Sequence, residues 1–432
     1  MSSSPKRVAV IGGGVAGMVA AYLLDQVCEV SLFEKNDYLG GHTNTIVIPD
    51  GPDQGLAVDT GFIVLNDQTY PLFHKFLKRL NVGVRFGDMS FSYYCKKTNF
   101  QYAGTTLNGL FAQRRNIVSV DFYSFLWGIA RFCLQAKKGL AEDSIGSQTL
   151  AEYLKRFAYS ETLINRYIVP MGAAIWSMPG EEMLAFPAQA FLRFFDNHGL
   201  LSLLNRPKWQ TVSGGSHSYV KRFREEFAGE VQLSAGVVGV VRREQEVYQD
   251  AEIGMVEVAF SDGSSREFDH VVIATHADQA LKLLQDPSTE EQRLLGFWRY
   301  QANKTVLHRD KSLLPPLQKA WASWNYVRAE QSNESDPVSV SYYMNMLQGF
   351  KAASPYVVTL NDNGAIRDEY IVKEIDYTHP VFTETSYALQ SALPSLNGKR
   401  GTYFCGSYFG YGFHEDAVRS AVALGREFGV TL

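Results

Sequence analysis

The sequence predicts an α/β fold: a first domain built on a parallel sheet, in a chain with room for a second domain. Three observations predict this. A short apolar strand near the N-terminus turns through glycines directly into a helix. A second strand follows and ends in an acid. The chain is also long enough, at 432 residues with 46% hydrophobic content, to bury the cores of two or three domains.

The first strand is Arg7-Val-Ala-Val-Ile11, and the turn and helix run from Gly12 to Leu24 as G-G-G-V-A-G-M-V-A-A-Y-L-L. This is G-x-G-x-x-G in the context that gives it meaning. Gly12 permits the tight turn, Gly14 lets a pyrophosphate approach the backbone, and Gly17 lets the helix pack closely on the strand. The helix N-terminus adds unpaired N–H groups and a positive dipole end, so the unit is Rossmann-like and predicted to bind a dinucleotide. The second strand, Cys28 to Glu34, ends 17 positions past Gly17, close to the spacing of a ribose-binding carboxylate, which assigns Glu34 to the ribose.

The chain continues Lys35-N-D-Y-L-G-G-H-T-N-T45, a second glycine turn in which Gly40 and Gly41 allow close backbone approach beside Thr43, Asn44 and Thr45. Here the sequence resembles the flavin-containing amine oxidase superfamily, which includes protoporphyrinogen oxidases and phytoene-type desaturases. In that superfamily E-K/R-x-x-x-x-G-G-x-x-x-T binds FAD. The resemblance implies FAD as cofactor, with Lys35, Gly41, His42 and Thr43 beside it, and it continues through Val58-D-T-G-F-I63.

Later segments resemble the same superfamily. Glu230 to Arg242 is similar to a strand that meets the adenine end, which would be the role of Val238. Phe268-D-H-V-V-I-A-T275 is similar to a strand ending beneath the cofactor at Ala274 and Thr275, with His276 where proline is usual. Near the C-terminus a strand, an aromatic loop and a helix, Tyr403-F-C-G-S-Y-F-G-Y-G-F-H-E-D-A417, match the segment whose helix amides face the flavin. That implies Gly406 and Ser407 near the ribityl phosphate and the amides around Ala417 and Val418 at the flavin N1/C2=O edge. Ser407 stands where the superfamily usually has an acid, and Asp416 where it has glycine.

Three residues are candidates for chemistry. Tyr411, in a Gly-Tyr-Gly, would wall the flavin as an aromatic, and His414 is read either as a structural hydrogen-bonding residue or as a proton carrier. Many amine oxidases hold a water at flavin N5 through a lysine. Alternation in the strand around Asn303 and Lys304 lets only one face the flavin, and Asn303 is the assignment.

The architecture that the resemblance implies is a discontinuous, Rossmann-like FAD-binding domain, 1–75, 206–290 and 386–432, with an inserted α+β substrate domain, 76–205 and 291–385, in which Lys304–His308 and Ser339–Met346 are read as strands. The charge balance, 41 basic against 45 acidic residues, gives no basic face for nucleic acid. The four cysteines (Cys28, Cys95, Cys133, Cys405) form no C-x-x-C pair and no metal-ligand spacing, so reduced thiols, no metal and a cytoplasmic address are expected. A built-in NAD(P)H site has no second glycine motif to rest on. The segment Asp121 to Lys138 is apolar nearly all round and ends in a basic pair. It reads as a buried helix, with an interfacial, membrane-touching helix as the alternative.

A closer resemblance, carried by G-G-H-T-N-T, D-T-G-F-I-V-L-N, G-A-A-I-W-S-M-P, N-H-G-L-L, A-T-H-A-D-Q-A-L and G-F-H-E-D, is to bacterial predicted NAD/FAD-binding oxidoreductases encoded beside cyclopropane-fatty-acid synthases. It implies removal of a hydride from a C–H bond of an apolar substrate onto flavin N5, in a desaturase or isomerase of fatty-acyl chains. The rival readings are a flavin amine oxidase that releases hydrogen peroxide and a non-catalytic FAD-binding protein. Non-covalent FAD is expected, with His379 and His414 left as attachment points. Sequence leaves the oligomeric state open.

Overall fold

The computed structural model describes residues 5–432 apart from 105, 177–179, 203–206, 244–245, 249–250, 254–255, 329–338 and 363. The chain begins with β1 (Arg7–Ile11), α1 (Val15–Leu24) and β2 (Glu29–Phe33). A long helix, α2 (Val120–Ala141), comes next, followed by β3 (Glu230–Gln232), β4 (His270–Ile273) and the long strands β5 (Arg299–His308) and β6 (Ile371–Val381). β7 (Thr402–Phe404) and α3 (His414–Glu427) close it.

β1, β2, β3, β4 and β7 make one parallel sheet in the order β3-β2-β1-β4-β7. Both faces of a parallel sheet must be covered, which is why the central strand β1 is apolar at four successive positions, Val8 to Ile11, rather than at alternate ones. Val8 and Val10 point to the face roofed by α1 and α3, where Val19, Leu23, Val418 and Val422 complete the core. Ala9 and Ile11 point the other way, onto Phe260 and Phe268. α1 and α3 approach closely because Gly425 has no side chain; a Cβ there would lie 3.0 Å from Leu23 Cδ1.

The second sheet is drawn from chain on both sides of the first. Its order is β6, β5, Val357–Leu360, Val340–Tyr343, Trp324–Arg328, Phe91–Cys95 and Phe100–Ala103. β5 and β6 pair antiparallel with Asn303 opposite Tyr377 and Lys304 opposite Asp376.

The structure moves two expected boundaries. The helix Pro71–Arg79 runs through residue 75, and Phe73, Phe76 and Leu77 pack in the same core as α1. Val84–Phe86 then pairs with Trp209–Val212. The strand expected over Ser339–Met346 ends at Tyr343, and a short helix, Met344–Leu347, replaces its end. The Asn345 side chain draws the chain out of the ladder by accepting from Tyr356 N at 2.8 Å and donating to Ser354 O at 2.9 Å.

The expected helix at Asp121–Lys138 lies within α2, but it is not buried all round. Phe122, Phe125, Phe132, Cys133 and Ala136 face inward, while Val120, Tyr123, Trp127 and Leu134 stand exposed. Of the G-A-A-I-W-S-M-P stretch, residues 177–179 lie outside the described residues.

Candidate active site

The glycine turn after β1 is sterically enforced from two sides. A Cβ on Gly12 would sit 2.8 Å from Ala274 O at the end of β4, and one on Gly17 would sit 1.9 Å from Gly12 O. Around Gly14, by contrast, nothing lies within 4 Å of the added carbon. Gly14 is also the N-cap of α1 and has no side-chain cap, and the first turn of α1 holds no acid. The helix therefore presents its unpaired first-turn amides to an open space, the arrangement a pyrophosphate requires.

The second glycine turn lies directly on the first. Gly40 N donates to Gly13 O at 2.9 Å, and a Cβ on Gly41 would be 3.4 Å from Gly14 Cα. Glu34 closes the arrangement at the end of β2. Its buried carboxylate accepts from Gly13 N at 2.7 Å and from Asn36 N at 2.9 Å, which fills two of its roughly four acceptor positions. The strand Val237–Arg242 is led to the same place by Ala235 N, which donates to Glu34 O at 2.8 Å. Val238 stands exposed there, where the ladder register slips between Val237 and Gly239. Lys35 is exposed beside Glu34, and Thr275 lies half-buried at the rim of the Gly12 turn.

At the other end of the site, the loop between β7 and α3 is held by Asp416. Its Oδ2 accepts from Tyr411 N at 2.9 Å and from Phe413 N at 3.0 Å, and Arg419 donates to Oδ1 at 2.7 Å. Ala417 N already donates to Phe413 O at 3.2 Å. The unpaired helix amides therefore belong to His414, Glu415 and Asp416, one turn earlier than the sequence placed them. Gly406 N donates to Ser420 Oγ at 2.9 Å, and the carbonyl of Ser407 takes Gly410 N and Gly412 N at 3.1 and 3.2 Å. An acid at the Asp416 position thus serves as the cap that shapes the loop.

His414 is locked rather than mobile. Its Nε2 lies 3.1 Å from Thr43 Oγ1 and 3.0 Å from the Tyr219 hydroxyl, which are themselves 2.5 Å apart, and its ring stacks on Phe62 at 3.6 Å. Desolvation pushes its pKa well below the ordinary value, so at neutral pH it is an uncharged imidazole in a hydrogen-bond network. Tyr219 and Phe62 are the partners that sequence reading missed. Phe62 lies inside the Val58–Ile63 motif, but nothing in the motif says which way its ring points.

Between these ends three histidines come together. His42 stacks on Tyr377 at 5.0 Å and lies 6.0 Å from His276 and 5.3 Å from His379, measured between rings. His276 stacks on Tyr300 at 4.2 Å, and the Tyr300 hydroxyl accepts from Ala277 N at 2.9 Å. All three histidines are half-buried, yet desolvation lowers every pKa: His42 in direction, His276 to about 4 and His379 to about 3. Partial exposure with strong desolvation is the combination expected of side chains lining a recess deep in the molecule. Among the described residues no group of three His, Cys, Asp or Glu side chains is placed to hold a metal ion.

Asn303 faces this recess and Lys304 does not. The buried Asn303 amide donates to His379 Nδ1 at 2.8 Å, and its Oδ1 accepts from Asn361 Nδ2 at 2.8 Å. Lys304, on the opposite face of β5, is exposed and pairs with Glu374 at 2.7 Å. Tyr411 lies elsewhere, half-buried in a cleft with Tyr70, Asn197, His198, Phe413 and Arg419. Burial pushes its phenol up to about 12, so it is neutral at physiological pH.

The sequence model of the family described as flavin containing amine oxidoreductase matches residues 15–344. None of the curated proteins matches the sequence. Among solved structures, the CLA-producing fatty acid isomerase from P. acnes superposes with a TM-score of 0.69 at 15% identity, covering 98% of each chain. A variant of putrescine oxidase gives 0.69 at 14% identity over 98% of each chain. Cyclohexylamine oxidase from Brevibacterium oxydans IH-35A gives 0.68 at 14%, covering 98% of this chain and 100% of its own. At such identities these likenesses establish a shared fold.

Proposed function

The chain belongs to the flavin containing amine oxidoreductase family and is an FAD-dependent oxidoreductase, and from that premise we propose that its substrate is a fatty-acyl chain of a lipid, desaturated or isomerised at a C–H bond, rather than an amine. The observation that carries this reading is the polar lining of the recess. Asn303, Asn361, His379, His42 and His276 are neutral side chains, and among the described residues none of them hydrogen-bonds to a carboxylate, with Asp278 acting on His276 only through space. A cationic amine entering such a recess would lose its hydration without gaining a counter-ion, a cost of several kcal/mol. An uncharged acyl chain bears no such cost.

FAD fits the residues present: the open space at Gly14, the uncapped N-terminus of α1 and the carboxylate of Glu34 suit its pyrophosphate and ribose. When bound it accepts a hydride from the substrate. The protein's own part is to hold and to exclude. The glycine turns admit phosphates to the backbone. The unpaired amides of His414 to Asp416 offer donors to developing negative charge. Asn303, fixed by Asn361 and His379, holds a neutral amide beside the three histidines, at the position that the family resemblance matches to the lysine of many amine oxidases. Trp176, Phe186, Phe191, Phe194 and Phe195 supply a continuous apolar core next to the aromatic loop.

Incubating the FAD-loaded protein with unsaturated and methylated acyl lipids, and in parallel with primary and secondary amines, tests this reading. Mass spectrometry is expected to show acyl chains that have lost two hydrogens, or chains of unchanged mass with a displaced double bond. Hydrogen peroxide formed from amines, with every acyl chain unaltered, would reverse the assignment.

A further inference from the structure

We propose that the outer face of α2, with the turn that precedes it, docks on an anionic phospholipid bilayer. Along α2 the exposed residues Val120, Tyr123, Trp127 and Leu134 follow one another at intervals of three, four and seven, so they share one face. Val118 and Val120 are 85% and 82% exposed, Trp127 and Leu134 each 67%, and Ile117 is exposed beside them. The opposite face is spent on the core through Phe122, Phe125 and Phe132, so the outer stripe is not a surplus of a helix that packs elsewhere. Isolated exposed apolar residues are ordinary, but six that adjoin one another on a helix and its entry turn mark an interaction surface.

Charge identifies what covers it. Residues 107–143 carry five basic side chains, Arg114, Arg115, Arg131, Lys137 and Lys138, against three acids, Asp121, Glu142 and Asp143, a local excess of two cations in a chain whose net charge is −4; Lys138 also lies 3.9 Å from Glu142. A local excess of cations around a Trp, Tyr and Leu stripe is the composition that lies in the headgroup region of an anionic membrane. The rings and Leu134 enter the acyl boundary, while the lysine and arginine stems reach to phosphates. A symmetric contact with a second copy is disfavoured, because an isologous interface would set the same cations against one another. Among the described residues no helix is long and apolar enough to cross a membrane, so the contact is with the surface.

The surface is separate from the recess, and its test requires no turnover. The full-length, FAD-loaded protein is sedimented with vesicles of phosphatidylcholine alone, and with vesicles that also contain phosphatidylglycerol. The parent is expected to pellet about tenfold more with the anionic vesicles and to be released by high salt. A Trp127→Ser/Leu134→Ser variant should lose about tenfold in vesicle binding, with unchanged flavin absorbance and melting temperature. An Arg115→Glu/Lys138→Glu variant, with the apolar stripe intact, should lose the preference for anionic vesicles. Equal sedimentation of parent and both variants would overturn the proposal. So would a parent that ignores vesicles, or one that dimerises through this face in light scattering while Trp127→Ser/Leu134→Ser stays monomeric.

Discussion

Glu34 shows what a single position can and cannot reveal. Its position at the end of β2, beside the glycine turn, was legible because a strand-end acid at that distance from Gly17 is part of a known nucleotide-binding pattern. Its hold on Gly13 N and Asn36 N was not legible, because the sequence does not show which amides the carboxylate faces. The Glu34→Ala variant should bind FAD about tenfold to a hundredfold more weakly, since a charge-assisted hydrogen bond contributes about 1.5–3 kcal/mol. Equilibrium dialysis measures this, and an unchanged Kd would remove Glu34 from the ribose. His414 was legible as a site but not as a state. Only the structure shows the Thr43 and Tyr219 oxygens at its Nε2 and the Phe62 ring against it.

A histidine outside the recess gives a cleaner measure of burial. His308, fully buried on β5, lies 2.7 Å from Thr359 Oγ1 and accepts from Asp310 N, and desolvation lowers its pKa from 6.5 to about 4. Because the folded value lies below the unfolded one, its contribution is present above pH 6.5 and is lost as pH falls toward 4. The loss reaches about 3 kcal/mol. A His308→Gln variant keeps a neutral amide near Thr359 and should lose less stability than the parent over that window in denaturant titrations. Identical pH slopes would contradict the assignment.

At the level of elements, those whose pattern is set by local sterics were legible and those set by tertiary contacts were not. β1, the glycine turn and α1 could be read because backbone must pass close to backbone. Gly17→Ala should therefore cost about 3 kcal/mol or more, since its Cβ would lie 1.9 Å from Gly12 O and neither backbone can yield. A lowered melting temperature with loss of bound flavin is expected, and a variant that melts and binds FAD like the parent would contradict the packing described. α2 was misread because its two faces are nearly equally apolar, so composition could not say which one faced solvent. The end of the strand at Tyr343 depends on hydrogen bonds from Asn345 to residues about ten positions away, which no local pattern encodes.

Over the whole molecule, two sheets built from interleaved pieces of chain meet at the recess. The parallel sheet brings Gly14, Glu34 and Thr275 to its carboxyl edge, and the second, mixed sheet brings Asn303 and His379 from β5 and β6. Alternation along β5 was enough to choose Asn303 over Lys304 as the inward residue. It could not show that His42 and His276 converge on His379, since those three come from three separate segments. The account rests on one claim: a flavin in this recess is reduced by an acyl chain and not by an amine. Absorbance of the FAD-loaded protein, followed without oxygen during titration with unsaturated and methylated phospholipids and separately with an amine panel, tests it most directly. Lipid is expected to bleach the flavin band or to convert its own double-bond spectrum while amines leave both unchanged. Bleaching by amines alone would contradict the account.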